Sequence, residues 1–141
     1  MGFFEASNIL GNGLSVQRQI MDIIAENMAN VNTLQTPEGG PYQRKIPVVS
    51  AREAIGFPDI LKSKIYDQVY LSNIVRDTAP PRMEYEPNHP LADENGYVYR
   101  PDINVSMEMI RMMTASRAYE ANIAAFNASK MMANKALQIG N

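Results

Sequence analysis

The sequence predicts a mainly α protein. Long N- and C-terminal helices pair in a coiled-coil-like layer, and a small irregular β-containing region lies between them. Three observations carry that expectation. Apolar or small residues recur at steps of three and four near both ends of the 141-residue chain. Eight of the nine prolines fall between Pro37 and Pro90 and the ninth is Pro101, which confines regular helix to the two ends. Hydrophobic residues make up 45% and charged residues 20%, a balance that favours a folded chain over compositional disorder.

Residues 1–34 supply the first helix. From Phe4 to Asn32 the stripe runs Ser7, Leu10, Leu14, Met21, Ile24, Met28 and Val31, with Gln17 at the one interrupted position. Arg18, Asp22 and Glu26 occupy the opposite face. Gly11 and Gly13 each cost about 1 kcal/mol relative to alanine inside a helix, so the start is expected to fray or bend. The helix should end near Asn32-Thr33. Residues 35–103 form a connector and a small β region. Pro37, Gly39, Gly40 and Pro41 forbid helix at once, and Tyr42 follows them. Arg44–Val49, Lys64–Leu71, Arg82–Glu86 and Tyr97–Arg100 are the strand candidates, and Gly96 allows a tight turn before Tyr97. Aliphatic residues are too sparse here for a large core. Residues 104–141 form the second helix. Its 4-3 seam is Val105, Met109, Met112, Ser116, Tyr119, Ile123, Phe126, Lys130, Ala133 and Leu137. Alanines raise its helix propensity, Asn104 is a capping residue with Ser106 competing, and Gly140 suits the far end. At 1.5 Å per residue its length is about 50 Å.

A helix of that length exceeds what so small a chain needs for its own core. One face can pair with the N-terminal helix in antiparallel fashion. Ile110, Met113 and Ala128 flank the seam and leave apolar surface for neighbouring copies. Ten methionines suit such adaptable packing, although an ordinary core uses the same property. Tyr42, Tyr97 and Tyr99 serve equally well as interface anchors or as cover for a thin β core.

Several function classes are excluded or left without support. The absence of cysteine removes disulfides, thiolate nucleophiles and cysteine metal sites. The net charge is −2, and no basic patch favours nucleic acid. The N-terminus lacks a basic segment followed by an apolar run, so no cleaved signal peptide is expected, and no apolar stretch is long enough for direct membrane insertion. His89, the lone histidine, sits beside Pro90 as a turn residue. Glu84 and Glu86 suit a solvated edge strand better than an acid/base pair. Asp93, Glu94 and Asn95 lack calcium-loop spacing, and Gly39-Gly40 suits chain reversal better than anion binding. No catalytic, cofactor or metal residues are assigned.

Four stretches resemble the proximal rod protein family of the bacterial flagellar basal body, of the FlgC-type rod subunit. They are Ile9–Gln17 (ILGNGLSVQ) running into Ile24–Thr33 (IAENMANVNT), Thr36–Tyr42 (TPEGGPY), His89–Val98 (HPLADENGYV) and Ser116–Asn122 (SRAYEAN). The Ala29–Thr33 ending of the first and the whole of the last are shared across axial proteins, whereas Thr36–Tyr42 singles out this subunit and His89–Val98 is also typical of it. The resemblance implies an inner layer of paired terminal helices stacked helically around a narrow central channel, with the middle region further out. It implies export through the flagellar type III apparatus without cleavage, a periplasmic rod location, and transmission of torque from rotor ring to hook. Expected partners are other copies of the chain, neighbouring rod proteins, and rotor-ring and export-apparatus components. The expected assembly interface is Leu10, Leu14, Met21, Ile24, Met28, Val31, Asn32, Val105, Met109, Met112, Arg117, Tyr119, Asn122, Ile123 and Phe126. The alternatives are another rod or hook-junction axial subunit and a non-flagellar secreted helical interaction protein; a small enzyme would need a polar pocket with clustered ionisable groups.

Overall fold

The computed structural model describes residues 3–53 and 66–139. In chain order the elements are α1 (Phe3–Ala29), β1 (Lys45–Glu53), β2 (Tyr66–Arg76), β3 (Arg82–Tyr85), β4 (Tyr97–Arg100) and α2 (Val105–Ile139). Strands β1 and β2 form one two-stranded sheet, and β3 and β4 form another. Two long helices therefore enclose a small β-containing middle, as the proline distribution requires. Strand β4 falls where expected. Strand β2 begins at Tyr66 and continues to Arg76, while Lys64, Ile65 and the expected cap Gly140 lie outside the described residues.

Both helix starts and ends have local causes. The 27-residue α1 runs uninterrupted through Gly11 and Gly13, where fraying or bending was expected. A side chain at Gly13 would place its Cβ 3.3 Å from the Asn122 amide nitrogen, so tertiary packing outweighs the propensity cost there. Helix α1 stops at Ala29, three residues before the expected Asn32. The Asn30 side chain donates back to the Glu26 carbonyl at 2.9 Å. The next backbone bonds, Val31 to Met28 and Thr33 to Asn30, step back only three residues and turn the chain out of the helix. Asn104 caps α2, its side-chain oxygen accepting from the Met107 N–H at 3.1 Å.

The structure divides into two compact units. One comprises Met1–Met21, Val48–Asn73 and Thr114–Asn141; the other comprises Asp22–Pro47 and Ile74–Met113. In the first, Val16 and Ala115 are buried, and the Ser72 hydroxyl donates to the Val48 carbonyl at 3.0 Å. In the second, Ile23, Ile24, Asn27, Val98, Pro101 and Glu108 are buried. Asn27 is only 1% exposed. Its amide nitrogen donates to the Lys45 carbonyl and its oxygen accepts from the Lys45 N–H, both at 2.8 Å. The Tyr42 hydroxyl donates to the same oxygen at 3.1 Å. This fork ties the end of α1 to the first residue of β1 and satisfies both polar backbone groups of that residue.

The β3–β4 hairpin pairs Arg82 with Arg100, Met83 with Tyr99, Glu84 with Val98, and Tyr85 with Tyr97. Val98 turns inward while Tyr97 and Tyr99 face outward, the alternation of a half-covered strand. Arg100 sits 2.6 Å from Glu84 and 2.8 Å from Glu86, so the two carboxylates neutralise one guanidinium. Asp93 organises the connection. Its carboxylate accepts from the N–H groups of Asn95 and Tyr97 at 2.9 and 2.8 Å and from the Tyr99 hydroxyl at 3.2 Å. These bonds, led by the Tyr97 N–H, hold its carboxyl below the usual range. Gly96 has a φ of 80°, and a Cβ there would meet Tyr85 at 3.0 Å and Pro87 at 3.1 Å. Conformation and space both require glycine at this turn.

Two measurements check this account. Asn27→Ala leaves the Lys45 amide and carbonyl without their partner, and should weaken local hydrogen-exchange protection at Lys45 by about 1–3 kcal/mol; unchanged protection contradicts the anchoring role. Burial, reinforced by the negative charge of Glu26, raises the Tyr42 phenol to about 12. Its stabilising contribution is complete below the ordinary tyrosine value near 10 and is lost as pH rises through about 12. Absorbance titration of the full chain against Tyr42→Phe should show one tyrosine ionising at that higher pH.

Candidate functional site

The segment Thr36–Tyr42 folds into a closed loop. The Thr36 N–H donates to the Gly40 carbonyl at 2.9 Å, and the Gly39 N–H donates to the Thr36 carbonyl at 3.0 Å. The Thr36 hydroxyl lies 3.3 Å from the carbonyls of Gly39 and Gly40. Gly39 and Gly40 have φ values of 93° and 74°, which make the chain reversal expected of them. The Tyr42 N–H then returns to the Thr33 carbonyl at 3.0 Å.

This loop is one wall of an open groove of about 510 Å³. Its floor and opposite wall include Arg44, Lys45, Arg76, Asp77, Pro81, Pro101 and Asp102. Glu38 and Arg76 face each other across it in a two-pronged ion pair, with Nη2 3.0 Å from Oε1 and a second, closer contact between Nη1 and Oε2. The Arg76 guanidinium holds the Glu38 carboxyl below the usual range. Both residues are more than half exposed, so this tie is screened by salt and contributes little to stability.

A second charged cluster lies deeper. The Arg44 Nε donates to Glu108 Oε1 at 2.8 Å, and its Nη1 lies 3.5 Å from Asp77. The Asp77 N–H donates to the Arg44 carbonyl at 2.8 Å, and Arg111 also reaches Glu108 Oε1. Glu108 is 1% exposed, and its Oε2 has no hydrogen-bond partner among the described residues. Removing one member of a buried pair exposes the other to the full desolvation cost, so this cluster locks the start of α2 to the strand-entry segment. The cations and carboxylates neutralise one another instead of surrounding a reacting centre. Among the described residues, no group of three or more His, Cys, Asp or Glu is placed to hold a metal. The His89 ring accepts the Leu91 N–H at 3.1 Å, a turn contact.

The expected interface residues divide by burial. On α1, Ile24 is buried, Leu10, Leu14, Met21 and Met28 are half-buried, and beyond its end Val31 is half-buried and Asn32 exposed. On α2, Val105, Met112, Tyr119 and Asn122 are half-buried, while Met109, Arg117, Ile123 and Phe126 are exposed. The covered stripe of α2 instead runs Val105, Glu108, Met112, Ala115, Tyr119 and Asn122. Four of these six, Val105, Met112, Tyr119 and Asn122, belong to the expected interface, whereas Glu108 and Ala115 do not. The chain covers that mixed stripe and leaves Met109, Ile110, Met113, Ile123 and Phe126 exposed. Sequence reasoning missed Asn27, Arg44 and Glu108. Asn27 carried a signal: it stands at i+3 and i+4 from Ile24 and Ile23 on the apolar stripe, where an unpartnered amide is costly. No helix among the described residues is long and apolar enough to cross a membrane.

Comparison with known proteins agrees along the whole chain. Residues 94–139 match the family described as flagellar basal body rod FlgEFG protein C-terminal. The flagellar basal-body rod protein FlgC of Borreliella burgdorferi is 40% identical, covering 99% of this chain and 98% of that protein. The proteins of the same name from Salmonella typhimurium and Bacillus subtilis are 35% and 33% identical, each with 99% coverage on both sides. On this full-length similarity, the chain belongs to the FlgC family of flagellar basal-body rod proteins.

Proposed function

We propose that the chain is a structural subunit of the proximal rod. In this reading its terminal helices pair as an inner coiled-coil-like layer, with residues 1–34 and 104–141 as the helical arms and 35–103 as the connector and outer region. Copies stack helically around a central export channel and transmit torque from rotor ring to hook. The subunit reaches the periplasmic rod through the flagellar export apparatus without signal cleavage, and meets other copies, neighbouring rod proteins and the rotor ring. Its role is structural, not catalytic.

The observation that carries this reading is the exposure of large apolar side chains along α2. Met109, Ile110, Met113, Ile123, Phe126, Met131, Met132 and Leu137 are between 36% and 71% exposed. So many exposed large apolar side chains along a 35-residue helix support the reading of an assembling subunit. Each such side chain contributes roughly 1.5–3 kcal/mol when fully buried, less the cost of ordering. The closed Thr36–Tyr42 loop supports a connector role for Pro37, Gly39, Gly40, Pro41 and Tyr42, because it holds both its own ends and one side of the groove.

Tyr119→Asp should leave the subunit exportable but absent from the rod. Phe126→Asp, at a more exposed position, should do the same with the isolated chain's helix content unchanged. Immunoblotting of exported protein, electron microscopy of basal bodies and swimming assays measure this. Normal basal bodies and motility in both variants would overturn the proposed interface.

A further inference from the structure

The first turns of α2 carry four methionines, Met107, Met109, Met112 and Met113. Met109, Met112 and Met113 stand at i, i+3 and i+4. Side chains at those spacings share one flank of a helix, with Cβ atoms about 5–6 Å apart. Of the ten methionines in the sequence, only these three are so related. Met107 is off that spacing, and Met131 and Met132 have no third methionine three or four residues away. Met109 is 49% and Met113 54% exposed, and Met112 is half-buried at the edge of the covered stripe. Met109 and Met113 are therefore open to a small solute, and Met112 is partly so.

The chemistry of that flank is selective. A thioether sulfur is a soft, uncharged donor that suits Cu(I) and its analogue Ag(I) and discriminates against zinc and magnesium. Three rotatable bonds let each sulfur adjust its approach. Arg111, the cation nearest in sequence, is drawn away to Glu108, which is buried on the covered face. The chain has no cysteine and one histidine, whose Nδ1 already accepts the Leu91 N–H, so the competing soft donors are the other exposed methionines, none of which has two more at those spacings.

We propose that Met109, Met112 and Met113 form a binding site for one soft monovalent cation, Cu(I) or Ag(I), held by three thioether sulfurs. The site is one of the free chain, since Met109 and Met112 belong to the interface proposed for the rod. The full-length chain, labelled with carbon-13 at its methionine methyl groups, is titrated with silver nitrate and followed by NMR and calorimetry. The methyl signals of Met109, Met112 and Met113 should move together and saturate at one equivalent, while zinc chloride leaves them in place. The double variant Met109→Leu/Met113→Leu keeps apolar bulk and helix propensity. It should bind silver about tenfold more weakly or worse, with unchanged circular dichroism. The proposal is overturned by absence of silver-dependent shifts, by shifts confined to other methionines, by equal response to zinc, or by a double variant that binds as tightly as the parent.

Discussion

The buried amide of Asn27 grips both backbone groups of Lys45, and the rest of the second unit is arranged around that grip. It fixes where β1 starts relative to the end of α1, so the intervening chain must close on itself within a set span. The tightened turn after Ala29 and the Gly39-Gly40 reversal perform that closure. Tyr42 adds a third bond to the same side chain, which brings Arg44 into line with Glu108. A polar residue in the middle of an apolar helix face is costly unless fully satisfied, and here all of its hydrogen-bonding directions toward the strand are used. The result is positional specificity that packing of aliphatic side chains alone would not provide.

Helix α2 shows the complementary economy. Its covered stripe contains Ala115 and the ion-paired Glu108, neither of which supplies much apolar burial. Several of its larger side chains, Met109, Ile110, Met113 and Ile123 among them, are exposed. A chain that optimised its own stability would turn those side chains inward. Their exposure is in keeping with membership of a family of rod proteins. The salt-screened Glu38–Arg76 tie across the groove differs in kind from the buried Arg44–Glu108 pair: the former trims a surface, the latter fixes an element.

Much of this was legible in the sequence. Proline placement confined the helices to the ends, and β4 and the Gly96 turn followed from local pattern and turn chemistry. Asn104 was readable as a cap because its role is local. The rotation of α2 was only partly readable: Val105, Met112 and Tyr119 of its seam are covered and Met109, Ile123 and Phe126 are not, because periodicity reports which residues are apolar and not which face a partner will take. The terminus of α1 was misplaced by three residues because Asn30 competes for the helix through its own side chain. Arg44–Glu108 joins residues 64 apart in sequence, and nothing local marks such a pairing. At the candidate interface, the residue types were legible, but their division into covered and open sets depended on tertiary packing.

The approach of Gly13 to Asn122 has a consequence for the order of folding. That contact closes a loop of roughly a hundred residues, whereas the Asn27–Lys45 fork closes one of 18. The entropy of closure therefore disfavours the longer contact by about 1.5 kcal/mol more. The β3–β4 hairpin and the fork, being short-range, can form within microseconds of the chain becoming free, and the terminal arms come together last. A subunit threaded through a narrow passage as an extended chain would accordingly recover its middle first and hold its two ends apart longest, the interval in which a neighbouring molecule can take the place of the chain's own second arm.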